Sequence, residues 1–167
     1  KGKSRWEEVL DHAEETLRQL PLESTVYAIV FASEVSEPKL LPFRTETDRV
    51  AAISYFRTGL GKPNDNTKLY DGLGAALDQA ASFYRQNSQR DVRLIVFSDG
   101  ADTASKRWTK EQIAEHFAKV VEERPNTWLF YTRVGNDGPK LADLIRHPRA
   151  LEQSLRSPIL LKIRADQ

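Results

Sequence analysis

The sequence predicts an α/β domain with a largely parallel sheet covered by helices on both faces. Three observations lead there. Apolar runs rich in β-branched and aromatic residues alternate with stretches whose apolar residues recur at helical spacing. The strongest of those runs are apolar almost throughout, which suits strands buried on both sides. The length, 167 residues, is that of one domain on a scale of roughly 100–200 residues each, and is ample for a real core.

Each element can be argued from its residues. Trp6, Val9, Leu10, Ala13, Leu17 and Leu20 recur at helical spacing among Glu7, Glu8, Asp11 and Glu15, and Pro21 stops that helix. Thr25–Phe31 reads as a buried strand, and the segment around Leu40-Leu41, bounded by Pro38 and Pro42, as a short edge strand. A helix is expected from Asp48 to about Arg57, and Gly59–Asn66 is a loop. Leu69, Leu73, Ala76, Leu77, Ala80, Ala81 and Tyr84 mark the next helix, and Val92–Phe97 a second buried strand. Thr109 and Gln112 have capping-box spacing ahead of a helix carrying Ile113, Phe117, Val120 and Val121. Trp128–Val134 is the third strong strand, Lys140–His147 a short helix ended by Pro148, and Ile159–Ile163 a last strand. Thr25–Phe31, Val92–Phe97, Trp128–Val134 and Ile159–Ile163 are expected in one sheet, mostly parallel.

Composition excludes several classes. With 40% hydrophobic and 29% charged residues, the chain is neither collagenous, coiled coil nor wholly disordered. No apolar run approaches the roughly 20 residues of a membrane span. Lys and Arg total 25 against 24 Asp and Glu, so the basic excess of a nucleic-acid binder is missing. Cysteine is absent, which removes disulfides, thiolate metal sites and cysteine nucleophiles. Methionine is absent too, even at position 1, so the sequence is expected to start after a translation start. His12, His116 and His147 share no ligand spacing and read as surface histidines, with His12 on the polar side of its helix.

Ligands of open parallel sheets bind at the carboxyl ends of the strands. Two polar loops fall there. Ser98-Asp99-Gly100-Ala-Asp102-Thr103 comes directly after a strand, and Asn64-Asp65-Asn66-Thr67 precedes a helix that opens Leu69-Tyr70-Asp71-Gly72. Taken separately, Asp99 can cap a turn, and Thr67 or Asn66 can cap the helix with Asp71 near its positive end. Taken together, a hydroxyl and a carboxylate meeting across a crevice are oxygen ligands of the kind that hard divalent cations prefer.

Asn66-Thr67-Lys-Leu-Tyr-Asp-Gly-Leu-Gly-Ala-Ala-Leu77, with Val92-Arg-Leu-Ile-Val-Phe-Ser-Asp-Gly-Ala-Asp-Thr103 after it, resembles a von Willebrand factor type A domain. The resemblance covers essentially the whole chain. It implies a three-layer, Rossmann-like sandwich over residues 1–167, with strand order 3-2-1-4-5-6. It also implies a metal-ion-dependent adhesion site to which Thr67 and Asp99 contribute ligands, Asp99 directly or through a water, with Asp102 and Asn64 at most on the rim. One departure stands out. The family's first strand ends in an Asp-x-Ser-x-Ser motif that supplies three further site residues, and neither strand nor motif is in this sequence. Lys1–Trp6 resembles the family segment immediately after that strand, so the central strand is expected upstream or in trans.

The function implied is binding, without catalysis: a protein partner presents a carboxylate to a bound Mg2+, Mn2+ or Ca2+, conditional on an upstream Asp-x-Ser-x-Ser. No nucleic acid and no membrane span enter. The alternatives are a metal-dependent hydrolase on the same crevice, with Asp99 holding Mg2+, and a structural module whose site is degenerate.

Overall fold

The computed structural model describes residues 2, 4–59, 67–87, 90–98, 102–133 and 140–153. Helix α1, Arg5–Gln19, begins with a complete capping box in which Ser4 and Glu7 exchange backbone and side-chain hydrogen bonds. Strands β1, Val26–Ala28, and β2, Lys39–Leu41, pair antiparallel. Helix α2, Glu46–Ser54, starts at a second capping box, Thr45 with Asp48, and runs on into a π-helical turn, Tyr55–Gly59. Helix α3 spans Leu69–Gln86, strand β3 Val92–Ser98, helix α4 Lys110–Glu123 and strand β4 Thr127–Arg133. Thr109 and Gln112 form the expected box at the head of α4. A 3-10 turn, Leu141–Asp143, and strand β5, Ala150–Gln153, complete the described chain.

The α/β class and the parallel arrangement hold: β3, β4 and β5 form a parallel sheet in that order, with Leu94 beside Leu129 and Leu129 beside Ala150. The single sheet does not. Among the described residues β1 pairs only with β2, and the two sheets stay apart. The reason lies in the edges: β3 is hydrogen-bonded to β4 on one side, and no described strand bridges from its other side to β1. The consequence is visible in burial. Only Val96 and Ser98 of β3 are buried, against five of the seven residues of β4.

Two cores match the two sheets. Leu69, Leu73, Leu77, Val96, Ile113, Phe117, Leu129 and Tyr131 pack between α3, α4 and the parallel sheet. Leu17, Ala28, Leu41, Phe43 and Ala52 pack between α1, α2 and the hairpin. Arg49 ties the second core together. Its Nη1 donates to the carbonyls of Leu17, Arg18 and Leu20 at the end of α1 (2.5, 3.2 and 2.8 Å), while the guanidinium lies 5.0 Å from the Phe43 ring centroid. These are the carbonyls a helix leaves without intrahelical donors.

Three other expectations are corrected. His12 is buried, 8% exposed, and packs edge-on against Phe97 of β3 at 5.3 Å between centroids. α1 is covered on two flanks, by α2 with its π turn and by β3, so its buried face is wider than its apolar stripe. The Lys140–His147 helix shrinks to one 3-10 turn, whose Leu141 N–H donates to Glu152 of β5. A strand forms at Ala150–Gln153, where none was expected; Ile159–Ile163 lies outside the described residues.

Candidate functional site

Three chain segments converge where β3 ends and α3 begins. Thr67 N–H donates to the Thr103 hydroxyl (2.9 Å), and the Thr67 carbonyl accepts from Thr103 N–H (2.9 Å) and Ala104 N–H (3.1 Å). Lys68 N–H donates to the carbonyl of Ala32, in the segment after β1 (2.9 Å). These bonds involve the backbone of Thr67; its hydroxyl takes part in none of them.

α3 is capped differently from the other α-helices. α1, α2 and α4 each begin with a local capping box, whereas the N-cap position of α3 is Lys68, with no side-chain cap of its own. Thr67 does not fill that role, and Asn66 lies outside the described residues. The free N–H groups of the first turn are satisfied from across the site. Asp102 Oδ1 accepts from Tyr70 N–H (3.1 Å), and Ser105 Oγ accepts from Asp71 N–H (2.9 Å). Ser105 in turn donates its hydroxyl to Asp102 Oδ1 (2.5 Å) and its N–H to Asp102 Oδ2 (3.2 Å). The helix reciprocates. Asp71 accepts from the N–H groups of Lys106, Arg107 and Trp108 at 2.9–3.0 Å.

Two carboxylates are thus exchanged between α3 and the chain leaving β3, and each closes the other's backbone. Burial pushes the Asp71 carboxyl up, but the N–H groups of Lys106, Trp108 and Arg107, with Lys68 nearby, outweigh it and hold the group below the ordinary carboxylate range. Burial, with Asp102 and Glu111 adding to it, raises the Tyr70 phenol.

Beside this junction lies a groove of about 440 Å3 lined by Glu34–Pro38, the Lys68–Gln79 side of α3, Arg107 and Trp108. Lys68 reaches Glu34 across it at 3.6 Å. Trp108 stacks flat on His116, 5.1 Å between centroids and 3° between planes, and His116 Nε2 lies 3.3 Å from Asp78 Oδ1. His147 Nδ1 accepts from Arg149 N–H, and its ring packs edge-on against Phe117. His116 and His147 are half-buried, so of the three histidines only His12 departs from the expected surface position.

Of the site residues expected from sequence, Thr67 lies at the head of α3, half-buried, against the chain that leaves β3. Asp102 is corrected from a rim residue to a structural cap, because both of its oxygens are engaged by donors. Asp99 and Asn64 lie outside the described residues. Among the described residues no three His, Asp or Glu side chains stand together as a metal site, and Asp71 and Asp102 already serve backbone donors. Thr67, with a hydroxyl outside the hydrogen bonds that fix it, fits a ligand role. Sequence reasoning missed Ser105. The signal was there: Asp102 and Ser105 have the spacing of a capping pair, but no helix comes next to make it read as one. No family model matches the chain, and no curated protein matches it.

Proposed function

We propose that the chain is a metal-dependent protein-binding module of the von Willebrand factor A type, built to receive a carboxylate from a protein partner. The observation that carries this reading is the meeting of its two motif segments. Thr67 and Thr103 are 36 residues apart, yet they exchange backbone and side-chain hydrogen bonds at the carboxyl end of β3. A crevice at strand ends is where open parallel sheets bind ligands. The strand orders on either side of the break, β2-β1 and β3-β4-β5, agree with the order the resemblance implies around its central strand. Thr67 and Asp99 are the ligands this chain contributes. A divalent cation held there would supply the charge that attracts a partner's carboxylate. The chain's own residues set the geometry: Asp71 and Asp102 fix the head of α3, and Thr67 offers its hydroxyl.

The test is a titration of Mg2+ and Mn2+ into the intact protein, following the melting temperature. Binding to the folded state alone stabilises it by about 2.7 kcal/mol at a hundredfold excess over Kd. Asp99→Ala is expected to melt at or above the wild-type temperature without metal, since on this reading its carboxylate serves the cation. It is also expected to lose the metal-dependent rise. A wild type indifferent to both cations, or an Asp99→Ala variant that keeps the rise, overturns the reading.

A further inference from the structure

The N–H of Tyr70 has two candidate acceptors. A threonine that caps a helix accepts the N–H three residues on, so a capping Thr67 would take Tyr70 N–H and extend α3 back over Lys68. In the structure that N–H goes to Asp102 Oδ1 at 3.1 Å instead, Lys68 occupies the N-cap position, and Thr67 stands one residue outside the helix. Asp102 is well placed to win the competition. Ser105 holds both of its oxygens in place through its own hydroxyl and N–H, and the same hydroxyl oxygen accepts the next donor of the turn, Asp71 N–H. A charged acceptor also makes the stronger bond.

We propose that Asp102 is a positioning residue: by capping α3 from the chain that leaves β3, it keeps the Thr67 hydroxyl out of the helix cap and available to a ligand. The proposal rests on the metal-dependent reading above. It explains why, among the α-helices of the described residues, this one lacks a local cap while carrying, at its head, a threonine that could have served as one.

The competition makes a double-substitution cycle informative in the absence of any cation. Thr67→Val removes the hydroxyl and keeps the branched shape. In the wild-type background it is expected to leave the melting temperature of the metal-free intact protein unchanged, because the hydroxyl caps nothing. In the Asp102→Ala background Thr67 takes over the cap, so the same change is expected to lower melting by a further 2–4 °C or so, the shift of about one lost cap in a chain of this size. Asp102→Ala alone should also weaken Mn2+ binding by about tenfold or more when affinity is measured on folded protein. Arg49→Ala, which loosens the end of α1 in the other core, should lower melting and leave that affinity unchanged. Should Asp102→Ala not fold, Ser105→Ala takes its place in the cycle, since it removes the hydroxyl that holds Asp102 Oδ1 and frees the Asp71 N–H. Equal effects of Thr67→Val in the two backgrounds overturn the proposal. Coupling without any cation response in the wild type overturns the metal reading, and the ligand role given to Thr67 falls with it.

Discussion

His12 and Asp71 are titratable groups whose surroundings act on stability in two separate ranges of pH. Burial against Phe97 depresses the His12 imidazole, with Glu15 partly opposing it. A base depressed in the folded state leaves stability intact above its unfolded value, about 6.5, and removes it as the pH falls from there toward the folded value. The Asp71 carboxyl is likewise depressed by its three backbone donors. Its stability is present above the unfolded value of about 3.9 and is lost as the pH falls through the lower folded value. Acidification should therefore weaken the protein in two steps. Urea midpoints measured from pH 7.5 to 3 check this. His12→Leu should flatten the step that begins near pH 6.5 and leave the lower one in place. Asp71→Asn should cost about 2 kcal/mol or more at neutral pH, as charge-assisted hydrogen bonds are lost, and the gap to wild type should close below about pH 4. A gap that stays constant down to pH 3 would mean that the Asp71 charge is not what holds the 106–108 segment.

α3 shows why helix propensity alone misleads at an element that must be approached closely. Gly72 and Gly74 sit inside it, and alanine at an exposed interior site would gain about 1 kcal/mol each. Here both are buried. A Cβ on Gly72 would come within 2.7 Å of the Phe31 ring, and one on Gly74 would run into the Trp108 indole. Trp108 has little room to retreat, being stacked on His116. Gly74→Ala is thus expected to destabilise by a net 1–2 kcal/mol or so, overpacking outweighing propensity, with thermal unfolding as the measure. A stabilised Gly74→Ala would show that the indole yields freely. The same helix marks what a sequence discloses. Its apolar stripe, from Leu69 to Tyr84, was legible because periodicity is a property of the helix itself. So was the Thr109–Gln112 cap of α4, which is local. The cap of α3 was not, since the acceptor of Tyr70 N–H lies 32 residues away. Nor was the burial of His12, which depends on what packs against the flank of α1. The short 141–143 turn and β5 escaped for a related reason: the turn is tied to Glu152, eleven residues on, and β5 pairs with β4.

At the scale of the molecule, the break between the two sheets is the feature with the largest consequence. α1 reaches across it, with Leu17 in the hairpin core and His12 on Phe97 of β3. Arg90 Nη2 also reaches the Glu23 carbonyl at 3.1 Å, joining the approaches to β3 and β1. These contacts hold the halves together, yet the outer edge of β3 has no described strand on it. Successive N–H groups of a strand point to opposite edges. Val92 N–H donates to Asn126, on the β4 side, so by alternation Leu94 and Val96 point the same way, and Ile95 and Phe97 point to the outer edge. Residues 1–167 expressed alone should accordingly give an uneven pattern of amide exchange. Leu94 and Val96 should be protected like the amides of β4, while Ile95 and Phe97 exchange far faster. Thermal unfolding of this chain should be broad, because net stability is only about 5–15 kcal/mol and a central edge with no described strand on it removes much of it. A strand laid along that edge, from the same polypeptide or another, should bring the two fast amides to the rate of their neighbours and sharpen the transition in the same step. Uniform protection across β3 in residues 1–167 alone, together with a sharp transition, would mean that the edge is already covered, and that the two halves form one closed structure without a further strand.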